Sequence, residues 1–294
     1  MAGQTRDITL VEVGPRDGLQ DAAKLLSVAD KVRFIELLAQ AGSHVIEVTS
    51  FVHPQRVPQM ADAEEVFAAT AHLQDGDVRL LVLVPNLRGY ERACSVGVRN
   101  IALFTAASET FNKKNTNAGI EESMQRFAPI LERAQADGVW VRGYVSTAFG
   151  CPYAGRIDPG AVAEVADRLY QAGCAEIALG DTIGVGTRTR VRQVISEVTR
   201  FVPVEQLALH MHNTRGRALD NIAVGYEMGI RIFDSSAGGI GGCPFAPGAP
   251  GNVSTEAVVE RFEAEGVRTG IDLSYIRAAA SHIDTALLGE HDEE

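Results

Sequence analysis

The sequence predicts an α/β protein, a (β/α)8 TIM barrel with an additional C-terminal helix. Eight short runs rich in Val, Ile and Leu alternate with longer segments of helical periodicity along the 294 residues. The runs are almost continuously apolar, which is typical of a parallel sheet covered on both faces. A doubly wound open sheet would normally carry a GxGxxG turn after its first strand, whereas residues 14–18 read GPRDG. We therefore favour the closed barrel, a fold that commonly takes about 250 residues.

The predicted elements follow one another without a linker, so we expect residues 1–294 to form one catalytic domain. The strands are predicted at 7–13, 44–48, 78–84, 98–104, 139–145, 175–179, 206–210 and 231–234. Segments between them, such as 30–41 and 161–172, repeat apolar residues at helical spacing. The glycines that we expect to end helices in a left-handed conformation are Gly42, Gly97, Gly138, Gly173 and Gly229. The segment 271–294 is predicted as the extra helix followed by an acidic tail.

Composition excludes several classes of partner. The formal net charge of -11 argues against nucleic acid and anionic membranes, because neither attracts an acidic surface. The four cysteines have no metal-type spacing and are too sparse for a disulfide scaffold. The first residues lack the apolar region of a signal peptide, and no run approaches the roughly 18 apolar residues of a membrane span. We expect a cytoplasmic protein.

Polar residues cluster at the predicted strand ends, where barrels of this kind carry their chemistry. They are Arg16, Asp17, Gln20, Glu47, Ser50, Ser146, Thr147, Asp181, Thr182, His210 and His212. The two histidines are the strongest signal, because residues two apart on a strand point to the same face. Asp17 would add a carboxylate and Asn252 an amide oxygen, which favours Mg²⁺ or Mn²⁺. An ion pair with Arg16 is the alternative for Asp17.

The other charged residues leave alternatives open. Arg16 offers a fixed positive fork to a substrate carboxylate or to a developing enolate. Glu47 either orients Arg16, handles a proton or is simply buried beside it. Asp181 is expected to hold a ligand histidine or a loop. Lys113 and Lys114 either contact a phosphate-rich ligand or belong to a solvated charge run; a Schiff-base lysine is less favoured, since neither lies in an apolar strand.

The segment 238–256 is unusually rich in glycine and proline. Loops of about 15 residues without regular structure are uncommon in compact domains and are usually binding loops or lids. Cys243 lies within this segment beside Gly242, so we expect a reactive thiol on a movable lid. A plain surface connection is the alternative. Together, a metal, an arginine, carboxylates and a thiol suit the cleavage or formation of a carbon–carbon bond through an enolate.

Seven motifs together resemble the 3-hydroxy-3-methylglutaryl-CoA lyase family. They are VEVGPRDGLQ (11–20), VIEVTSFVHPQRVPQMAD (45–62), ASETFNKKNTNAGIEES (107–123), GYVSTAFGCPYAGRI (143–157), LGDTIGVGT (179–187), HMHNTRGRAL (210–219) and GGCPFAPGAPGNVSTE (241–256). The resemblance covers about 9–269. It implies retro-Claisen cleavage of a 3-hydroxy-3-methylglutaryl-CoA thioester to acetyl-CoA and acetoacetate, with a divalent cation and no nucleotide cofactor beyond the CoA of the substrate. It also implies a homodimer.

The resemblance also assigns site residues. The metal positions it implies are Asp17, His210, His212 and Asn252. Arg16 matches the arginine that stabilises the enolate, and Cys243 matches the lid thiol. Glu47, Asp181 and Glu256 match further active-site positions of the family. From their places at strand ends and in the glycine-rich segment, we also expect Gln20, Ser50, Ser146, Thr147 and Gly242 at the substrate or lid. Lys113 and Lys114 remain candidates for contact with CoA.

Several departures from the family pattern keep other functions open. Asn213 follows His212 where the family usually has Asp, and the stretch 21–24 as well as His53 and Arg56 differ from the expected residues. A related thioester, such as citramalyl-CoA or 3-hydroxy-3-isohexenylglutaryl-CoA, is therefore an alternative substrate. An acetyl-CoA-dependent 2-hydroxy acid synthase is disfavoured by the GGCP sequence around Cys243. A non-catalytic barrel is disfavoured because every candidate metal ligand is present.

Overall fold

The computed structural model describes residues 6–242 and 251–288 and confirms the closed (β/α)8 barrel. Each strand pairs in parallel with the next, and the last pairs with the first. The strands are β1 (Thr9–Glu12), β2 (Val45–Ser50), β3 (Arg79–Leu83), β4 (Asn100–Ala106), β5 (Trp140–Ser146), β6 (Glu176–Asp181), β7 (Leu207–Met211) and β8 (Ile232–Ser235). Each overlaps the run predicted for it. β2 and β6 extend further than predicted, so that Ser50 and Asp181 are the last residues of strands.

Helices surround the barrel. They are α1 (Val28–Gln40), α2 (Ala63–Thr70), α3 (Leu87–Ser95), α4 (Glu109–Thr116), α5 (Ile120–Asp137), α6 (Pro159–Gln171), α7 (Arg188–Val198), α8 (Ala218–Glu227), α9 (Thr255–Ala264) and α10 (Leu273–Leu288). The last of them is the predicted C-terminal helix, and it packs against α1. The acidic tail from 289 onward lies outside the described residues. None of the described helices is long and apolar enough to cross a membrane.

Local sequence explains where the helices begin and end. Ser27, Thr187 and Ser254 cap α1, α7 and α9, because each hydroxyl accepts a hydrogen bond from a backbone N–H of the first turn. All five glycines predicted to end helices have positive φ, as at Gly138 with φ 66°. The predicted helix stops are therefore confirmed. They keep the connections short, and they return the chain directly to the next strand.

The barrel interior changes character along its axis. Leu81, Ala102, Ala178 and Ala208 form a small apolar cluster inside the strands. Next to it lies a fully buried ion pair between Arg142 of β5 and Asp234 of β8. Toward the ends of the strands the interior becomes polar and opens into a cavity. The fold therefore places the ionisable residues at the mouth of the barrel, as the strand-end pattern predicted.

Candidate metal centre

Two segments bring the three strongest metal-ligand candidates together. The chain leaves β1 in a tight helical turn, Gly14–Gly18, which carries Asp17; β7 carries His210, and His212 follows directly after it. One ligand atom from each residue lies within 4.8 Å of the other two. His210 Nε2, for example, is 3.9 Å from Asp17 Oδ2. The two-residue spacing of the histidines does direct both rings to one point.

The surroundings of the imidazoles fit a divalent cation. His210 Nδ1 lies 3.1 Å from Asp234 Oδ2, and because a carboxylate only accepts, this nitrogen donates and Nε2 is left toward Asp17. Such a carboxylate partner commonly fixes a metal-binding histidine. His212 Nδ1 is buried and has no hydrogen-bond partner among the described residues. A buried, unpaired imidazole nitrogen beside a carboxylate is a donor set that suits a metal ion.

Asn252 borders the same carboxylate. It forms a β-bridge with His212, and its Nδ2 donates to Asp17 Oδ2 at 2.9 Å and to the Ile240 carbonyl at 3.3 Å. Rotating the amide would turn Oδ1 toward the ligand atoms instead. Gly241 makes this approach possible, because a Cβ there would lie 2.7 Å from Asn252 Nδ2 and its φ is 115°. The predicted fourth ligand is therefore adjacent to the other three.

Arg16 and Asp17 form one unit with Glu47. The buried guanidinium contacts Asp17 Oδ1 through Nη1 at 2.7 Å and Glu47 Oε2 through Nη2 at 2.6 Å. Asp17 presents its other oxygen, Oδ2, to Asn252 and His210. The two alternatives for Asp17, ion pair and metal ligand, are thus geometrically compatible. Glu47 is fully buried against Arg16, which is the geometry of a residue that orients the guanidinium.

Electrostatics set the protonation states of this unit. Burial alone would raise the pKa of Asp17, but Arg16, His210 and His212 outweigh burial and hold that pKa well below its usual range. Burial and the neighbouring His210 lower the pKa of His212 to about 4. At neutral pH Asp17 is therefore an anion and His212 is neutral, which are the forms that bind metal ions. Burial alone would lower the pKa of His210, but contact with Asp234 and Asp17 outweighs burial and raises that pKa.

A cavity of about 890 Å³ lies over these residues. Near the candidate ligands its wall includes Gln20, Ser146 and Gly242, three of the residues predicted at the substrate or lid. The cavity continues between the β2–α2 connection and the helices α4 and α5. We call this extension the outer arm, and we define it by His53, Arg56, Asn115, Asn117 and Arg126. The sequence flagged His53 and Arg56 only as departures from the family pattern.

Thr147 follows β5 at the edge of the cavity and has an unusual backbone. Its φ is 57°, although a β-branched residue rarely adopts a left-handed conformation. Its N–H donates to Thr182 Oγ1 at 2.8 Å, so the β6 side of the barrel holds this strained turn in place. Local strain that neighbours impose is common at functional sites. Ser50, by contrast, is buried and its hydroxyl donates to the Leu83 carbonyl at 3.4 Å.

Asp181 and Glu256 hold loops in this structure. Asp181 accepts hydrogen bonds from the N–H groups of Val185 and Gly186 at 3.0 and 2.9 Å, which fixes the loop after β6. Burial raises the pKa of Asp181 to about 6. Glu256 accepts from the N–H of Gly238 at 3.0 Å, at the entrance of the glycine-rich segment. Their contacts match the loop-holding alternative for Asp181 and suggest a similar one for Glu256.

The paired lysines lie beside the cavity without lining it. Lys113 forms an ion pair with Glu109 at 3.1 Å, and Lys114 Nζ is 4.4 Å from the centre of the Tyr153 ring. Both lie on α4, and both are exposed. Their predicted contact with CoA stays a prediction. Cys243, the predicted lid thiol, lies outside the described residues.

The structure adds residues that the sequence did not identify. Asp234, Arg142 and Tyr144 form contacts inside the barrel that reach His210 and Glu47. Each lies within a predicted strand run, and the apolar pattern of such a run indicates a strand without indicating a chemical role for its residues. A charged residue inside an otherwise apolar strand was the available signal, since such residues are seldom buried unless they are paired.

Comparison with known proteins connects this geometry to a family. The HMGL-like family model matches residues 7–283. The mitochondrial hydroxymethylglutaryl-CoA lyase of Homo sapiens is 48% identical over 95% of this chain and 86% of that protein. A crystal structure of the HMG-CoA lyase from Brucella melitensis superposes with a TM-score of 0.94 at 46% identity, covering 97% of this chain and 100% of that one. An HMG-CoA lyase from Acinetobacter baumannii in complex with coenzyme A and 3-methylmalate gives a TM-score of 0.89 at 37% identity, covering 95% and 91%.

Proposed function

The chain belongs to the HMGL-like family, and on that premise we propose that it is a carbon–carbon lyase that cleaves 3-hydroxy-3-methylglutaryl-CoA to acetyl-CoA and acetoacetate. One observation carries the proposal. Asp17 faces His210 and His212 with one oxygen and Arg16 with the other, beneath a cavity large enough for an acyl thioester. The names of the similar proteins favour this substrate over the citramalyl and isohexenylglutaryl thioesters.

The reaction makes demands that these residues meet. The bond between C2 and C3 of the acyl group breaks while the C3 hydroxyl loses its proton and becomes the ketone of acetoacetate. The electron pair moves to the acetyl thioester, which becomes an enolate and then takes a proton on carbon. When bound at Asp17, His210 and His212, a divalent cation supplies Lewis acidity to the substrate oxygens.

Arg16 is placed to stabilise the enolate. Its charge is permanent, its position is fixed by Asp17 and Glu47, and it lines the cavity. A donor that is already oriented, in a site with little water, stabilises charge that develops in the transition state. We therefore assign Arg16 to the thioester oxygen of the enolate, and Glu47 to the orientation of Arg16.

We propose Cys243 as the proton donor to the enolate carbon. The one proton it gives balances the one that leaves the C3 hydroxyl, so the cleavage needs no net proton. Gly242, which directly precedes Cys243, lines the cavity. A thiol has an ordinary pKa of about 8.5, close enough to neutrality for proton transfer to the enolate carbon. Closure of the segment around it would also exclude water from the enolate.

We propose that the outer arm takes the nucleotide end of CoA. Arg56 and Arg126 line it from opposite elements. Arg126 is paired with Glu122 at 2.5 Å, whereas Arg56 forms no ion pair with any residue that the structure describes, so Arg56 offers the unpaired positive charge to a phosphate group. Lys113 and Lys114 lie on the neighbouring helix and stay candidates for contact with CoA, although Lys113 is paired with Glu109. A CoA-bound relative supports a CoA thioester as the substrate.

Three further properties are proposals. We propose Mg²⁺ or Mn²⁺ as the ion, because oxygen donors from Asp17 and Asn252 accompany the imidazoles. We propose a homodimer, which light scattering of the purified protein would test. We also propose a cytoplasmic location; the human relative is named as mitochondrial. Cys94, Cys151 and Cys174 are free, which accords with a reducing compartment.

A substrate panel tests the function. The protein is stripped of metal, supplied with Mg²⁺ or Mn²⁺, and incubated with the methylglutaryl, citramalyl and isohexenylglutaryl thioesters while acetyl-CoA is followed. We expect the highest kcat/KM for 3-hydroxy-3-methylglutaryl-CoA. A higher kcat/KM for another thioester would identify that thioester as the substrate instead. Consumption of acetyl-CoA in the presence of a 2-oxo acid would indicate a synthase.

A further inference from the structure

Arg142 is a buried cation for which the reaction has no direct use. It lies in the middle of β5 with 0% of its surface exposed, and it does not line the cavity described above. A charge in such a place is costly unless it is paired. Its guanidinium reaches three partners: Glu176 Oε1 at 2.7 Å, Asp234 Oδ1 at 2.6 Å and Tyr144 Oη at 2.9 Å. Two of these partners, Asp234 and Tyr144, connect Arg142 to the candidate metal centre.

The first connection leads to a metal ligand. Asp234 contacts Arg142 through both oxygens, at 2.6 and 3.2 Å, and its Oδ2 also accepts from His210 Nδ1 at 3.1 Å. The guanidinium therefore fixes the plane of the carboxylate, and the carboxylate fixes the ring of His210. Partners of this kind set which imidazole nitrogen faces the metal.

The second connection leads to the catalytic arginine. Tyr144 lies two residues after Arg142 on β5 and so shares its face, closer to the mouth of the barrel. Its hydroxyl accepts from Arg142 and donates to Glu47 Oε2 at 3.2 Å. The same Glu47 oxygen receives Arg16 Nη2 at 2.6 Å. A hydroxyl has a single proton, so contact with the guanidinium directs that proton toward Glu47.

We propose that Arg142 is a positioning residue that orients both halves of the centre, the metal-ligand half with His210 and the arginine half with Arg16, from deeper inside the barrel. It orients His210 through Asp234, and it orients Arg16 through Tyr144 and Glu47. The statement about turnover rests on the proposed function, whereas the statement about metal binding does not. A purely structural role for Arg142 would lower the melting temperature of its variants and leave the two halves of the centre unaffected.

Cutting the two connections separately tests the proposal. In Asp234→Asn we expect Mn²⁺ affinity, measured by calorimetry, to fall by about 10-fold or more, the scale for residues that hold a metal ligand. In Tyr144→Phe we expect Mn²⁺ affinity to stay within about twofold while kcat falls more than KM changes. Arg142→Gln should show both effects. Arg142→Lys, which keeps the charge but loses the fork, should recover them only partly.

Tyr144 also lines the cavity, so its effect must be shown to pass through Arg142. We expect Tyr144→Phe to lower kcat much less in the Arg142→Gln background than in the native protein, because residues that act through one network are not additive. Equal effects in both backgrounds would mean that Tyr144 acts on the substrate alone and would overturn this half of the proposal. If Arg142→Gln does not fold, the same cycle is run with Arg142→Lys.

Lys31 provides the matched control. It is a buried cation on α1 that pairs with Asp62 at 2.8 Å and does not line the cavity. Lys31→Gln should lower the melting temperature without changing Mn²⁺ affinity or kcat. Native Mn²⁺ affinity in Asp234→Asn would overturn the proposal. If the native protein binds Mn²⁺ but cleaves no thioester, the proposed function fails, while the effect of Asp234→Asn on the metal still decides the first half of the inference.

Discussion

The two parts of the cavity wall, the candidate metal centre and the outer arm, differ in how far their charged residues are buried and paired. At the candidate metal centre Arg16 and His210 line the cavity and are buried, and each is held by hydrogen bonds or ion pairs. In the outer arm His53, Arg56 and Arg126 are exposed. Among the residues that the structure describes, Arg126 forms an ion pair only with the exposed Glu122, and Arg56 forms none. Buried charges interact strongly and keep their geometry, whereas exposed charges are screened by water and salt. We expect the first part to determine the rate of reaction and the second to contribute only to affinity.

Of the changes that test this comparison, removal of the metal should have the largest effect on turnover. We expect exhaustive chelation to abolish turnover, because the candidate ligands Asp17, His210 and His212 cannot themselves supply the Lewis acidity of the ion. Added Mg²⁺ or Mn²⁺ should restore the rate, and binding of CoA to the stripped protein should change little. Acetyl-CoA release and calorimetry with CoA give the two measurements. Turnover that survives chelation would refute the metal assignment.

Arg16→Met, at the candidate metal centre, should have the next largest effect on turnover. We expect kcat to fall by about 10²-fold or more, on the scale of losing one oxyanion donor, while KM changes much less. Steady-state kinetics with 3-hydroxy-3-methylglutaryl-CoA provide the measurement. Mn²⁺ affinity should be recorded as well, because Arg16 also contacts Asp17. A steep rise in KM at constant kcat would make Arg16 a binding residue.

The comparison also explains which parts of the site were predictable from the sequence. His210 and His212 were found because spacing along one strand determines which side chains share a face. The contact between Arg142 and Asp234 joins β5 to β8 across the barrel, and no local pattern indicates which residues of distant strands will meet. The strands themselves were predictable, since eight apolar runs carry the signal of a covered sheet.

The contacts of the described residues favour one of the alternatives at some positions. The sequence could not distinguish a Glu47 that orients Arg16 from one that transfers a proton. Its complete burial and its 2.6 Å contact with Arg16 favour the first role. Side-chain direction on α4 was equally unpredictable, and the structure pairs Lys113 with Glu109. Residues at the entrance of the cavity depend on loop geometry, which sequence periodicity does not specify.

Substitution of Cys243 should have an effect smaller than that of Arg16→Met and larger than that of Arg56→Ala. We expect Cys243→Ala to retain the fold and Mn²⁺ affinity but to lose most turnover, because the enolate then lacks its proton donor. Thiol reagents should inactivate the native protein more slowly when a substrate analogue is bound. Cys94→Ala is the control, since Cys94 is partly buried away from the cavity and should leave turnover unchanged. Cys174 is buried with a pKa raised to about 12 and should not react. Near-native turnover in Cys243→Ala would leave the segment as a lid without a chemical role.

The smallest effect is expected in the outer arm, from Arg56→Ala. An exposed charge contributes little affinity, so we expect KM for the CoA thioester to rise by about two- to fivefold at unchanged kcat. The same acyl group on pantetheine, which lacks the phosphates, should show no difference between native and variant protein. Raising the salt concentration to about 0.5 M should shrink the difference for the CoA thioester, because salt screens exposed charges. Arg33→Ala, on the outer side of α1, is the matched control. A fall in kcat for both substrates would mean that Arg56 acts on the reacting groups, and the separation between the two parts of the wall would be wrong.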